Sequence, residues 1–364
     1  MSKYLYISLL LISLSLTSCQ RTKNNSPYSS NVSTPFPSGG GKGRGAVCSY
    51  TPIKNQGKVS ACWIYAYLAC IETERIEQYG DSLNLSPLWL IENAMHEQAV
   101  TRYLSKGKRK ITCRGIGPEA ERLMQEHGMV PYSFFHYDHN MSGGMMERDI
   151  AHKVDIAIRT KKGIEALHDD VAESMPHKPH NLEHGFYLYG MHYTPQEFGN
   201  SLLAGTLMQW LTSYTHHPFH KSFDIELPDN NHHHLIMNVP IDSLYSAVIT
   251  ALQHRHAVFW EGKMPKEMAT CSSQVTAKNK AAMLPTALTT DAATIQQARQ
   301  RAFERFEVTD DHAMAIIGLT SDKHGNAVFI CKNSWGKDDG NKGIRYMSEQ
   351  DFLLSTIMIM ARRD

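Results

Sequence analysis

Cys62 has the sequence surroundings of a cysteine nucleophile. It is followed at once by Trp63 and by a run with helical character. A thiol at a helix N-terminus faces free backbone N–H groups and the positive end of the helix dipole, which can lower its pKa from about 8.5 to roughly 3.5–7.5. Gln56 stands shortly before it and can donate a side-chain N–H to a developing oxyanion. A lone cysteine is more often a buried structural residue, but these neighbours favour an activated thiol.

A histidine and an asparagine that could complete such a site stand near the C-terminus, at His312 and Asn333. A cysteine–histidine pair needs a third group that holds the imidazole, and an Asn side-chain oxygen that accepts a ring N–H does this. The apolar runs 313–319 and 327–331 predict two β-strands. His312 would then begin one strand and Asn333 would follow the next, so that adjacent strands bring the two side chains together.

Taken together, these segments resemble the papain superfamily of cysteine peptidases. Gln-Gly…Cys-Trp over 56–63, Asp-His-Ala over 311–313 and Asn-Ser-Trp-Gly over 333–336 stand in the order of that family. The resemblance implies peptide-bond hydrolysis through a thioester acyl-enzyme. Cys62 would attack as a thiolate, with His312 as its ion-pair partner and then the proton donor to the leaving amine. Asn333 would orient the imidazole, and Gln56 and the Cys62 backbone N–H would form the oxyanion hole. It implies no cofactor.

Further segments resemble the bleomycin hydrolase branch of the superfamily, namely 194–198, 238–244, 257–260 and 312–314. The similarity extends roughly over 48–364 and is patchy between 138 and 193. The implied fold class is α+β, with the two lobes of papain, a helical left lobe and an antiparallel β right lobe, and a helical insertion between them. The expected parts are a signal peptide (1–19), a tether (20–45), the helical lobe (46–137), the insertion (138–235) and the β-lobe (236–364).

Helical stretches are expected within the insertion at 154–167 and 194–213. In the helical lobe, Gly115 and Gly117 resemble the glycine segment whose backbone pairs with substrate in this superfamily, and simple loop glycines remain the alternative. Trp335 is expected to shield the contact between His312 and Asn333 from water and is also a candidate substrate-binding residue.

The N-terminus has the features of a targeting segment. Lys3 precedes an apolar stretch over 5–16, which is too short for an ordinary membrane span, and Leu-Thr-Ser-Cys over 16–19 resembles a bacterial lipobox. Cys19 would carry the lipid, and a plain secretory signal is the alternative. The Ser-, Asn-, Pro- and Gly-rich segment 20–45 reads as a flexible tether. We expect an extracytoplasmic, lipid-anchored protein, and Gln20 in place of Asp favours the outer membrane of a diderm.

The composition gives no indication of a nucleic-acid partner, and the resemblance implies a peptide or protein substrate. The net charge of the 364 residues is +1, and no basic block is present. The 20 histidines include His216-His217 and His232-His233-His234. Contiguous side chains point in different directions, so that solvated loops are expected rather than a metal site. Of the seven cysteines, five remain after Cys19 and Cys62, an odd number that cannot all pair with one another. Papain has a disulfide-forming cysteine three residues before its nucleophile. Here Val59 stands at that position, so that the corresponding disulfide to the region of Cys113 is not expected.

The mode of cleavage is open at this stage. Bleomycin hydrolases are aminopeptidases because a C-terminal arm enters the cleft, whereas this sequence stops close to its last expected strand, which favours an endopeptidase. The alternatives are an aminopeptidase of bleomycin hydrolase type, a non-catalytic peptide-binding lipoprotein, and an acyl transferase of transglutaminase type.

Overall fold

The computed structural model describes residues 47–136, 142–175, 182, 184–265, 268, 291–322 and 326–363. The expected signal peptide, Cys19 and the tether over 20–45 lie outside these residues. Within the described part, no helix is both long and apolar enough to cross a membrane.

Helices and strands alternate irregularly along the chain, as in an α+β fold. The helices are α1 (Cys62–Tyr79), α2 (Pro87–Leu104), α3 (Gly117–His127), α4 (Gly143–Thr160), α5 (Glu165–Ser174), α6 (Pro195–Leu203), α7 (Ile241–Gln253), α8 (Ala292–Glu304) and α9 (Glu349–Ser355). The strands are β1 (Phe186–Leu188), β2 (Met191–Tyr193), β3 (Met208–Thr212), β4 (Lys221–Asp224), β5 (Leu235–Asn238), β6 (Val258–Gly262), β7 (His312–Ser321), β8 (Ala327–Lys332), β9 (Ile344–Ser348) and β10 (Thr356–Arg362).

The central helix α1 places Cys62 in the interior. Most of its residues are buried, including the charged side chains of Glu72 and Glu74. It packs against β6 and β7 on one side and against α2, α3 and α6 on the other. Gly80 ends it with φ of 70° and donates its N–H to the Ile76 carbonyl at 2.8 Å, a left-handed cap that glycine adopts without strain. The N-terminus of α1 therefore lies where the helical lobe meets the sheet.

The β-lobe is an eight-stranded sheet with the order β4-β5-β3-β10-β6-β7-β8-β9. Its pairs are antiparallel except β3 with β5. In the register of β6 and β7, Gly262 lies opposite His312, and in that of β7 and β8, Ala315 lies opposite Lys332. The start of β7 and the end of β8 consequently lie side by side at the same end of these two neighbouring strands, as the sequence predicted.

The insertion is helical only in part. The expected helix over 194–213 ends at Leu203, and Met208–Thr212 instead forms β3, because its backbone pairs with β10. This is a tertiary contact that local propensity does not reveal. Strands β4 and β5 follow it into the main sheet. The expected helix over 154–167 divides into α4 and α5 around Lys161 (φ 53°) and Gly163 (φ 89°), where the backbone is left-handed.

Candidate active site

Cys62 is the first residue of α1 and is half-buried. It lines a cavity of about 300 Å³ together with Gln56, Gly115 and His312. The first turn of α1 contains no acidic side chain, and no side chain caps the helix, so nothing there opposes the positive end of the helix dipole. The thiol is thus placed at the floor of an open cavity, at a helix N-terminus.

The pKa of this thiol is raised and not lowered as expected. Burial raises the pKa of the Cys62 thiol to about 12, and the Glu261 carboxyl adds to this. The backbone N–H groups of Ala313 and Trp63 and the Arg114 guanidinium act in the opposite direction but are outweighed. Loss of solvent disfavours the thiolate, so that burial opposes the ionisation that the helix N-terminus favours.

His312 and Asn333 are joined as the sequence predicted. The His312 Nε2–H donates to Asn333 Oδ1 at 2.8 Å, and the Ser334 backbone N–H donates to the same oxygen at 2.9 Å. His312 is buried, and burial lowers the pKa of its imidazole, although the bond to Asn333 partly offsets this. With Nε2 carrying the hydrogen, Nδ1 is the free basic nitrogen of the ring.

Trp335 covers His312. The two rings lie 4.7 Å apart between centroids and are tilted by 35°. Trp335 itself is 39% exposed, and the Arg345 guanidinium lies 5.7 Å from the centroid of its ring. Its role as a shield against water stays a prediction.

Gln56 lines the same cavity and is held by hydrogen bonds to both of its amide atoms. Its Nε2 donates to the Val59 carbonyl at 2.7 Å, and its Oε1 accepts from the Ser334 hydroxyl. Its backbone N–H also donates to the Ser334 carbonyl at 2.8 Å. Among the described residues, the second amide N–H has no hydrogen-bond partner, which leaves it available to an oxygen of a bound substrate.

The comparisons with known proteins agree with this geometry. Residues 189–359 match the model of the Peptidase C1-like family, a span that contains His312 and Asn333 but begins after Cys62. The solved structure of PepW from Lactobacillus rhamnosis HN001 shares the fold at a TM-score of 0.60, with 15% identity over 87% of this chain and 81% of that chain. The chain is a cysteine peptidase with the papain-like fold.

Other solved structures are more distant. A structure from the mite allergens Blo t 1 and Der p 1 matches with a TM-score of 0.42 and 13% identity, over 90% of this chain and 73% of that one. Procathepsin L 3 of the Tenebrio molitor larval midgut matches with a TM-score of 0.42 and 12% identity, over 90% and 72%. No curated protein sequence matches the chain.

In this peptidase the two predicted substrate-binding glycines have different environments. Gly115 lines the cavity, and a Cβ there would lie 2.7 Å from the Trp63 ring, so only glycine fits beside that indole. Trp63 is fixed in turn, because its Nε1–H donates to the Cys113 carbonyl at 2.9 Å. The position of Gly115 agrees with the expected approach of a substrate backbone.

Gly117 is buried at the start of α3 and lies outside the cavity lining. A Cβ there would lie 2.5 Å from Trp210 and 2.6 Å from Phe259. Its backbone N–H donates to a Glu261 carboxyl oxygen at 3.0 Å. Glycine is required at this position by packing against these rings, and its role in substrate binding stays a prediction.

Sequence reasoning missed two residues that hold Asn333. Its Nδ2 donates to Asp339 Oδ2 at 2.8 Å, and the Arg345 Nε–H donates to the same carboxylate at 3.0 Å. Both lie after β8, Asp339 in the loop and Arg345 on β9. No motif marks them, since their role depends on how the loop folds back onto Asn333.

It also missed the charged wall of the cavity. Asp229, Glu261 and Asp310 line it together with Arg114. Asp229 lies in the segment between β4 and β5, Glu261 on β6, Asp310 just before β7, and Arg114 just before α3. Nothing in the local sequence links these positions, and only the register of the sheet brings them beside Cys62.

The described cysteines other than Cys62 are buried free thiols, at Cys48, Cys70, Cys113 and Cys331. Burial raises the pKa of each, which keeps them protonated and unreactive. Among these described thiols no disulfide forms, as expected for Cys113. Cys271 lies outside the described residues.

The prediction that contiguous histidines point in different directions is wrong for one cluster and confirmed for the other. His216 and His217 both contact Glu226, at 3.1 and 2.6 Å. His232 and His234 both contact Glu119, at 2.9 and 2.8 Å, whereas His233 between them contacts Asp224 at 2.6 Å. In each group two imidazoles converge because a carboxylate lies within reach of both. Each group has a geometry that could hold a metal ion, and in each the contacts also read as ion pairs.

Proposed function

We propose that the peptidase hydrolyses peptide bonds through a thioester formed on Cys62, with His312 as its proton partner and Asn333 as the residue that orients the ring. The observation that carries this proposal is the 2.8 Å hydrogen bond from His312 Nε2 to Asn333 in the cavity that Cys62 lines. That bond commits Nε2 as a donor, so that Nδ1 is the nitrogen able to accept a proton.

The first step forms the acyl-enzyme. His312 Nδ1 takes the thiol proton as the Cys62 sulfur attacks the substrate carbonyl carbon. The carbonyl oxygen becomes an oxyanion, for which the free side-chain N–H of Gln56 and the backbone N–H of Cys62 are the proposed donors. The tetrahedral intermediate then loses its amine, which receives the proton from the imidazolium. A water molecule, deprotonated by His312, hydrolyses the thioester and regenerates the thiol.

The buried position of both partners explains why the pair starts neutral. Burial raises the pKa of Cys62 and lowers that of His312, and each shift disfavours a charged group in a site of low dielectric constant. Proton transfer replaces two neutral groups by an ion pair in direct contact, whose charges offset one another. We therefore propose that this transfer accompanies substrate attack.

Cleavage within a chain is the favoured mode. The described C-terminal residues contact parts of the molecule away from the cavity: Arg362 bonds Glu74 at 3.0 Å, and the Arg363 N–H donates to the Leu207 carbonyl at 2.6 Å. None of the described residues of β10 lines the cavity. A substrate that extends past the scissile bond in both directions would meet no chain segment from β10. An aminopeptidase remains the second candidate, since the cavity wall is acidic.

We also propose that Cys19 carries a lipid anchor and that 20–45 tethers the enzyme to a bacterial membrane on an extracytoplasmic side, with the outer membrane favoured. This rests on the apolar stretch over 5–16 and the lipobox-like 16–19, because several acyl chains on one cysteine give stable anchoring. Mass spectrometry of the membrane-extracted protein tests it. Acyl chains on an N-terminal Cys19 are expected, and a free Ser, Asn or Gln N-terminus after secretion would contradict it.

The hydrolytic proposal is tested on the soluble form that lacks 1–19, with Cys62→Ala and the matched control Cys48→Ala. We expect Cys62→Ala to lose peptide hydrolysis with its melting temperature preserved, and Cys48→Ala to retain it. Undiminished hydrolysis by Cys62→Ala would refute the proposed nucleophile. Amine incorporation that outpaces hydrolysis would instead indicate acyl transfer, and absence of any turnover by the unaltered enzyme would favour a binding protein.

A further inference from the structure

We infer that the cavity beside Cys62 binds a cationic group of the substrate, a Lys or Arg side chain or a free α-amino group, through Glu261 and Asp310. The inference rests on the proposed function, because it names the substrate chemistry of the same site. It depends on four charged side chains that line the cavity, Arg114, Asp229, Glu261 and Asp310.

Glu261 is a carboxyl group in the interior. It lies on β6, is 2% exposed, and faces the cavity. Opposite it in the register of the sheet is Ala313, the neighbour of His312. Its described hydrogen bond is from the Gly117 backbone N–H at 3.0 Å. Among the described residues no cationic side chain forms an ion pair with it, although a buried carboxylate ordinarily has such a partner.

Asp310 supplies an unsatisfied acceptor in the same wall. Its side chain is 5% exposed, and it stands two positions before His312 in the sequence. Its Oδ2 atom is buried and has no hydrogen-bond partner within the described part of the chain. A buried acceptor left without a donor costs about 1–3 kcal/mol. A ligand that brings a donor into the cavity relieves that cost.

The nearest cation is already committed elsewhere. Arg114 Nε donates to Asp229 Oδ2 at 2.7 Å, whereas its closest approach to Asp310 is 3.6 Å, beyond hydrogen-bonding distance. The remaining charged groups of the wall, Lys58 and Asp311, are exposed to solvent. Arg114 is therefore hydrogen-bonded to Asp229 and forms only a longer ion pair with Asp310, while Glu261 faces the cavity without an ion-pair partner among the described residues.

The protonation behaviour of these groups agrees with a cation as the missing partner. Burial raises the pKa of Asp310 to about 6, and Asp229 adds to this, while Arg114 opposes it. Burial also raises the pKa of Glu261 well above its ordinary range, with the Gly117 N–H opposing. A bound ammonium or guanidinium group would favour the ionised forms. Preference for a cationic substrate should thus increase as the pH rises through about 6, where Asp310 loses its proton.

A neutral aliphatic side chain fits this wall poorly. It would exclude water from the cavity and leave Asp310 Oδ2 without a donor, with a second carboxyl nearby. An ammonium or guanidinium group supplies several donors and forms charge-assisted hydrogen bonds, which are about twice as strong as neutral ones. The chemistry of the wall consequently discriminates by charge more than by size.

The experiment compares peptides that differ only in charge. One series carries Lys or norleucine, or Arg or citrulline, at each position on the acyl side of the scissile bond. A second series repeats each peptide with a free and with an acetylated N-terminus. We measure kcat/KM for the unaltered enzyme and for Asp310→Asn and Glu261→Gln, which preserve side-chain shape, and use the exposed Glu173→Gln as the control. Binding of the same peptides to Cys62→Ala is measured by fluorescence anisotropy.

We expect the cationic member of a pair to be favoured about tenfold or more, and the preference to fall to within about twofold in Asp310→Asn or Glu261→Gln but not in Glu173→Gln. A preference that survives acetylation identifies a side chain, and one that disappears identifies the α-amino group. Equal kcat/KM and equal affinity for the cationic and neutral members would overturn the inference while leaving peptide hydrolysis intact. If the proposed function fails, neither the cationic nor the neutral member of a pair is hydrolysed. The affinities of the two peptides for Cys62→Ala would still decide the charge preference.

Discussion

The Asn333 side-chain amide donates to Asp339 at 2.8 Å, and this bond fixes which atom of the amide faces His312. Because Nδ2 is bound to a carboxylate, Oδ1 must point toward the imidazole, where it accepts the Nε2–H. The Arg345 Nε–H donates to the same Oδ2 oxygen at 3.0 Å, and its Nη2 donates to Oδ1. The orientation of the imidazole thus depends on a chain of hydrogen bonds from His312 through Asn333 and Asp339 to Arg345. Asp339 and Arg345 do not contact the imidazole, but they orient the Asn333 amide that does.

Replacing Asp339 tests this chain of contacts. In Asp339→Ala the Asn333 amide can rotate, so that its NH₂ group and its oxygen compete for His312. We expect kcat to fall on the order of tenfold, about 1.4 kcal/mol in the barrier, with KM little changed. Asn333→Ala should lose more, within the roughly 10²–10⁴-fold range of a positioned acid–base group.

The neighbouring Asp338 is exposed and provides the matched control. Asp338→Ala should keep the kcat of the unaltered enzyme. Stopped-flow or steady-state assays across pH distinguish a positioning effect from general damage, because a misdirected imidazole changes the acid limb of the profile. Equal kcat values for Asp339→Ala and Asp338→Ala would show that Asp339 has no part in orienting His312.

Gln56 is expected to act on the transition state and not on substrate affinity. Its free amide N–H is the proposed donor to the oxyanion, and loss of one such donor costs roughly 10²–10³ in kcat. Gln56→Ala should therefore lower kcat by that order with nearly unchanged KM. Ser334→Ala keeps the donor but removes the hydroxyl that holds Gln56 Oε1, and should lose less. Comparable effects on kcat and KM in Gln56→Ala would point to a structural role.

The pH dependence follows from the buried His312. Its pKa is lowered by burial, and the mechanism requires the neutral imidazole at the start. kcat/KM should then rise with pH through an apparent pKa below the ordinary value of about 6.5. Since burial raises the thiol pKa to about 12, the rate of Cys62 alkylation by iodoacetamide should keep rising above pH 9. A flat alkylation rate between about pH 5 and 8 would reveal a preformed thiolate–imidazolium pair.

A buried ion pair behind the site should dominate stability. Glu72 is fully buried and bonds Lys54, while Lys332 lies 3.7 Å away. Burial alone would raise the pKa of Glu72, but the two lysines outweigh it and hold the pKa below its usual range. Its stabilising contribution is present above the ordinary carboxyl pKa of about 4.3 and is lost as the pH falls through the lower folded value.

Glu72→Gln should lower the free energy of unfolding by about 3–5 kcal/mol, because it leaves buried lysine charge uncompensated. The partly exposed pair of Arg75 and Asp81 is the control, and Asp81→Asn should cost no more than about 1 kcal/mol. Urea unfolding at pH 7 measures both. A loss below about 1 kcal/mol in Glu72→Gln would mean that the lysines find other partners.

Local sequence signals predicted the parts of the molecule that depend on neighbours in the chain. The helical run expected after Cys62 is α1, and the apolar runs over 313–319 and 327–331 are strands β7 and β8. The pairing of His312 with Asn333 followed because both flank predicted neighbouring strands. Strand β3 did not, because its partner β10 is distant in sequence.

The same holds for the residues of the site. Those that belong to sequence motifs could be predicted, whereas Asp339, Glu261 and Asp310 reach the site only through loop folding and sheet register. The thiol pKa differed from expectation for a related reason. The helix terminus is visible in the sequence, but the burial that outweighs it belongs to the folded cavity.

The most direct test of the account is acid quenching of the enzyme during turnover of an activated peptide ester, followed by mass spectrometry of its proteolytic fragments. We predict one acyl group as a thioester on the fragment that contains Cys62, strongly reduced in His312→Ala and absent in Cys62→Ala. An acyl group on another residue, or continued peptide hydrolysis by Cys62→Ala, would contradict the assignment of Cys62 as the nucleophile.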